Sequence, residues 1–92
     1  MEIRDNTFQR QFETHVDGKQ LIVEYSFQDR KIFLTRMTVP EGTEETVNDF
    51  IVAILEIARE RKLKVVPIFP KIALFFRKNP SYRELLPPGI KL

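Results

Sequence analysis

The hydrophobic positions of this chain change period once, near residue 40. Before that point they alternate. Phe8, Phe12, Thr14 and Val16 fall on one face of an extended segment, with Gln9, Gln11 and Glu13 on the other. Asp17-Gly18 follows, a dipeptide suited to the positive φ angles of a tight hairpin. Leu21, Val23, Tyr25 and Phe27 then alternate with Glu24 and Ser26. Gln28-Asp29-Arg30 turns the chain again, and Ile32, Phe33, Leu34 and Met37 to Val39 form another strand. The pattern predicts an antiparallel meander, preceded by a short strand at Glu2 to Arg4.

Beyond residue 40 the spacing becomes helical. Val47, Phe50, Ile51, Ile54, Leu55 and Ala58 recur at i, i+3, i+4, i+7, i+8 and i+11, which predicts a helix over about Thr43 to Lys62. Thr43 reads as its N-cap, with Glu44 and Glu45 in the first turn and Arg59, Arg61 and Lys62 at the far end, where cations suit the dipole. Lys64 to Pro67 reads as a short buried strand. Pro70 suits the first turn of a second helix built on Ile72, Ala73, Phe75 and Phe76, which Asn79-Pro80 ends. Tyr82, Leu85 and Leu86 read as a further helical turn, stopped by Pro87-Pro88-Gly89. The predicted class is α+β: an antiparallel sheet of about four to five strands with two packed helices, in the order β-β-β(-β)-α-β-α, as one domain over 1–92.

Composition narrows the function classes. At this length the core must be compact. Fifteen basic and 13 acidic side chains give a net charge of +2, too balanced to point to nucleic acid, so no such partner is expected. The absence of cysteine excludes disulfides, zinc–thiolate sites and thiol nucleophiles, and no metal is expected. No apolar run approaches the roughly 18 residues of a membrane span, and Met1 to Arg10 is polar and lacks a signal-peptide core. The expectation is a cytoplasmic protein without a membrane partner.

Several residues together resemble a known family. Val39-Pro40, the amphipathic segment ending Ala58-Arg59, Leu63-Lys64-Val65-Val66-Pro67, Pro70 and Asn79-Pro80-Ser81-Tyr82, with the upstream Asp17-Gly18 hairpin and Tyr25, look like the minimal single-domain branch of the GNAT acetyltransferase superfamily. The resemblance covers nearly the whole chain and implies acetyl-CoA as cofactor, held around Thr38, Val39, Gly42 and Thr43, with the pantetheine arm between the strands at 32–39 and 64–67. In that branch the strand before the main helix ends His-Thr-Glu-Val-Pro. Here it reads Arg36-Met37-Thr38-Val39-Pro40, so only the last two residues match. The family's Arg-Gly-x-Gly loop, whose backbone N–H groups take the pyrophosphate, is about two residues shorter here. Of its residues only Gly42 survives, among Glu41, Glu44, Glu45 and Asp49. Each like-charge pair costs on the order of 1 kcal/mol in water and more when partly buried. The family's cysteine is replaced by Phe69, which offers no nucleophile.

Two function classes lead, with nucleic-acid binding a distant third. One is a degenerate member, a pseudoenzyme with weak or lost acetyl-CoA binding that serves as a module for a small molecule or a protein. The other is an active N-acetyltransferase with an altered loop. The catalytic residues are unknown, and whether the chain is a monomer or homodimer stays open. His15 and Glu24 read as solvated strand residues, with a general-base role as the sharper alternative. Tyr82 reads as a pin for the C-terminal turn, with proton donation to a thiolate as its alternative. The acidic run from Glu41 to Asp49 reads as a solvated helix start, or a dock for a basic partner. Arg59, Arg61, Lys62 and Lys64, with Arg77 and Lys78, read as a solvated, dipole-matched helix end, with a nucleic-acid patch as the remote alternative because no aromatic residues interleave them.

Overall fold

A computed structural model describes residues 1–92. Five strands form one sheet in sequence order: β1 (Arg4–Asn6), β2 (Gln11–Val16), β3 (Lys19–Gln28), β4 (Lys31–Thr38) and β5 (Lys64–Pro67). The first four pair antiparallel through short turns. β5 pairs parallel to β4, Lys31 with Lys64 through Leu34 with Pro67. The sheet is therefore mixed rather than wholly antiparallel. Helix α1 (Val47–Glu60) returns the chain to the end where β4 began, so the next strand must run alongside it in the same direction. α2 (Pro70–Lys78) and a 3-10 stretch over Pro80–Leu85 complete the chain.

The alternation read from sequence decides which face is covered. Phe12, Leu21, Val23, Tyr25, Ile32, Leu34 and Val65 are buried on one face of the sheet, in a single cluster with Phe50, Ile51, Ile54 and Leu55 of α1 and Ile72, Phe75 and Phe76 of α2. Fully burying side chains of this size stabilises by about 1.5–3 kcal/mol each, so α1 is held mainly by its apolar stripe. Opposite-face residues such as Ile22, Ser26, Phe33 and Val66 are only half-buried. The molecule is two layers deep, 20 Å in its shortest extent.

The structure corrects several local expectations. Phe8 is not in a strand. The side chain of Asn6 accepts the Gln9 N–H (3.1 Å), closing a turn over residues 7–10 that leaves Phe8 94% exposed. The first strand is Arg4–Asn6 rather than 2–4, because the chain must reach that turn in register with β2. Glu13, on the face opposite Phe12, is also buried: the side chains of Asn6 and Gln11 donate to it and Arg4 lies beside it. Thr43 does not cap a helix with its side chain. Its hydroxyl donates back to the Pro40 carbonyl (2.7 Å), and a 3-10 turn over Glu44–Thr46 intervenes before α1.

Five non-glycine residues have positive φ: Arg10, Asp17, Asp29, Arg30 and Lys62. Such residues cost about 1–2 kcal/mol where glycine would be nearly free. Asp17 precedes Gly18 in the expected hairpin turn. Asp29-Arg30 makes the same kind of two-residue turn without glycine. Lys62 holds the left-handed position after α1, and the next N–H, of Leu63, closes onto the Ala58 carbonyl (2.9 Å).

Candidate functional site

The site implied by the family resemblance lies where β4 and β5 part. Between Glu24–Arg36 and Tyr25–Leu34 the β3–β4 register shifts by one residue, leaving Thr35 as a bulge. β5 stays with β4 only as far as Leu34. The Leu34 carbonyl accepts both the Ile68 N–H (3.1 Å) and the Phe69 N–H (3.0 Å), and the chain then turns into α2. Arg36 to Thr38 consequently pair with β3 on one side and with no strand on the other. This fork is bounded by Thr38 and Val39 on one arm and by Ile68 and Phe69 on the other. Thr38 is exposed, Val39 half-buried, and Phe69 half-buried against the core at the N-cap of α2, where its carbonyl accepts from Ile72 and Ala73.

The loop from Pro40 to Thr46 closes on itself. The Gly42 N–H donates to the Glu44 carboxylate (2.9 Å), the Thr43 N–H to the Pro40 carbonyl (3.2 Å) and the Thr46 N–H to the Thr43 carbonyl (3.0 Å). The Val47 N–H donates to the Glu44 carbonyl. Lys19 reaches across from β3 to the Glu41 carbonyl (2.6 Å), and a side chain added at Gly42 would meet its amine at 3.2 Å. An incoming phosphate needs several of these N–H donors free and converging. Here a carboxylate already occupies the Gly42 donor, and other loop donors face carbonyls. As the loop stands, the Gly42, Thr43, Thr46 and Val47 donors are engaged within it.

The remaining sequence candidates are scattered. His15 lies on the exposed side of β2, in a shallow depression of about 600 Å³ shared with Arg4 and Glu13, at the edge of the sheet away from the fork. Hydrogen bonds from Gln11 and Asn6 hold the Glu13 carboxyl below its ordinary range. Glu24 pairs with Arg36 beside the bulge and is half-buried. Tyr82 packs its ring on Phe75 (5.5 Å) and lies under the Arg59 guanidinium (5.9 Å), which also bonds Glu84. That hydrogen bond raises the Arg59 pKa further. Tyr82 thus links the C-terminal turn to both helices. A second groove of about 300 Å³ runs between the start of α1 and α2, with Glu44, Glu45 and Asn48 on one wall and Lys71, Lys78 and the exposed Leu74 on the other.

The sequence reading missed the Asp5–Tyr25–Arg61 cluster. The Tyr25 hydroxyl donates to Asp5, which also accepts from Arg61 (2.8 Å). Burial, then the hydrogen bond and charge of Asp5, push the Tyr25 phenol from 10.0 up to about 12. These residues are up to 56 positions apart, so no local pattern joins them.

Neither a family model nor a curated protein matches the chain. Among solved structures it is similar to the NMR solution structure of a GCN5-like protein from Staphylococcus aureus, proposed there to be an N-acetyltransferase. The TM-score is 0.75 at 21% identity, over 98% of this chain and 90% of that one. The likeness establishes the class of fold: a GNAT-like α+β fold. No helix is long and apolar enough to cross a membrane.

Proposed function

We infer that this is a divergent GNAT-fold protein in which acetyl-CoA-dependent activity is weak or lost, and that it acts as a module binding a small ligand or a protein. The observation that carries this reading is the Gly42–Glu44 hydrogen bond. It puts a fixed negative charge on the donor that a pyrophosphate would need, with Glu41 and Glu45 alongside. Phe69, at the family's cysteine position, adds apolar volume and no nucleophile. The groove between α1 and α2 offers such a module acids, amines and an exposed leucine on facing walls. The fork beside Thr38 and Val39 leaves strand backbone open to an extended ligand.

Isothermal titration with coenzyme A tests the reading. Wild-type protein should give no saturable heat up to millimolar ligand. Glu44→Ala frees the Gly42 N–H and removes one charge, so it should bind measurably more tightly, with a gain that shrinks as salt rises. Micromolar binding by the wild type, or acetylation of an amine by it, overturns the inference and restores the enzyme reading.

A further inference from the structure

The strand directions bring three turns to the end of the sheet opposite the acidic loop: residues 7–10, residues 29–30 and the α1–β5 connection at 61–63. Each places a basic residue in a left-handed conformation where glycine would be nearly free: Arg10 (φ 56°), Arg30 (φ 62°) and Lys62 (φ 58°). Next to them Lys31 and Lys64 are direct cross-strand partners, a like-charge pairing that disfavours the sheet. The fold thus keeps three cations here at local expense, with Asp29 left-handed beside Arg30, and such outliers are associated with functional surfaces. Carboxylates at this end are Asp5, Glu24, Asp29, Glu60 and Glu84. Arg61 and Arg59 engage two of these, while Arg10, Arg30, Lys31 and Lys62 form no ion pair.

Aromatic side chains reach the same end from other parts of the chain. Phe12, Tyr25 and Phe27 form a row, with ring centroids 4.8 and 5.0 Å apart, that begins in the core and ends at Phe27, half in solvent. Phe8, on the neighbouring turn, is 94% exposed. The cations of 59–64 have no aromatic neighbours along the sequence; in the fold Arg59 lies over the Tyr82 ring.

We propose that this end of the sheet binds single-stranded nucleic acid, with phosphates on Arg10, Arg30 and Lys62 and bases stacking on the open end of the aromatic row and on Phe8. Unpaired cations and exposed rings match the two parts of such a ligand, charged backbone and flat base. The surface is separate from the fork and the acidic loop, so it stands or falls independently of the coenzyme A result.

The test is fluorescence anisotropy of a labelled 20-nucleotide oligouridylate with the full chain. Binding of about 10–100 μM or tighter is expected at 50 mM salt. It should weaken about fifty-fold at 200 mM if roughly four phosphates are contacted. The triple variant Arg10→Gly, Arg30→Gly, Lys62→Gly removes three charges at positions glycine prefers. It should melt no lower than wild type, bind at least about tenfold more weakly, and show a salt slope reduced by about 2. Phe8→Ala removes a side chain that stands in solvent, so it tests stacking without risk to folding. It should weaken binding about tenfold and leave the salt slope unchanged. Absence of binding at 100 μM protein and 50 mM salt overturns the proposal, as does a triple variant or Phe8→Ala that binds like wild type. Binding to phosphatidylserine vesicles without binding to the oligonucleotide overturns it in favour of a membrane surface.

Discussion

Replacing Tyr25 by Phe isolates one long-range polar contact in this fold. Tyr25 is 4% exposed, and its ring lies between those of Phe12 and Phe27. Phenylalanine keeps that ring, so no cavity forms. What is lost is the hydroxyl's bond to Asp5, the residue through which β1 also meets Arg61 beyond α1. A hydrogen bond to a charged acceptor contributes about 1.5–3 kcal/mol. Asp5 keeps Arg61, so the lower part of that range, about 1.5–2 kcal/mol, is expected at pH 7. In a domain of this size it lowers Tm by on the order of 10 °C. The pH dependence supplies a second, independent signature. The unfolded tyrosine releases its proton near 10.0, while the folded one keeps it until about 12. Between those values the unfolded state binds fewer protons, so wild-type stability falls as pH rises. Tyr25→Phe lacks this loss. The gap between the two proteins should therefore narrow by about 1.4 kcal/mol between pH 9 and pH 11. Urea denaturation at both pH values, with m unchanged, measures it. A cost below about 0.5 kcal/mol at pH 7, or a gap constant across that interval, refutes the reasoning.

Two further perturbations read the core and the acid limb. Phe50 is fully buried, whereas Phe69 is half-buried at the mouth of the fork. Phe50→Ala should thus cost about 3–5 kcal/mol and Phe69→Ala about half as much, both measured by chemical denaturation; equal costs would show Phe69 to be full core. Glu13 is held below its ordinary value of 4.5 by Gln11 and Asn6, so the stability it contributes is present above that value and is lost as pH falls through the folded pKa. Glu13→Gln should flatten stability against pH below about 4.5, and an unchanged acid limb would remove Glu13 from the account.

The meander and the main helix were legible because each depends on a repeat that the chain writes locally. Alternation at 21–27 and the 3.6-residue stripe at 47–58 become the buried faces of β3 and α1. The bulge also leaves a trace in the sequence. Buried positions in β4 run Ile32, Leu34 and then Met37, an even-to-odd switch that a continuous strand cannot make without one extra residue. The errors fell where side chains bond back to the main chain. The Asn6 turn moved Phe8 out of its strand, and Thr43 bonded Pro40 rather than capping a helix. Polar groups that meet only through tertiary pairing, such as Glu13 with Asn6, have no periodicity to betray them.

The same distinction governs the candidate surfaces. The acidic loop's main contact is local: Glu44 lies two residues from the Gly42 N–H that it accepts. The basic end is not local. Its cations come from residues 10, 30–31 and 61–64, and its exposed rings from 8 and 27, so the charge balance of the chain conceals a separation that only strand direction creates. β4 and β5 run parallel from the basic end toward the acidic loop, with α1 crossing back between them. Any chain threaded this way would carry the start and the end of its main helix to opposite ends of the sheet. Acids near the first turn of α1 and cations at and beyond its last turn are what the helix dipole favours, so the polarity of the molecule begins as a requirement of one helix. Lys62 meets that requirement at a position where glycine would cost less, and the left-handed Arg10 and Arg30 go beyond it. The dipole does not call for arginine in a hairpin turn, and glycine would serve the backbone better at all three positions.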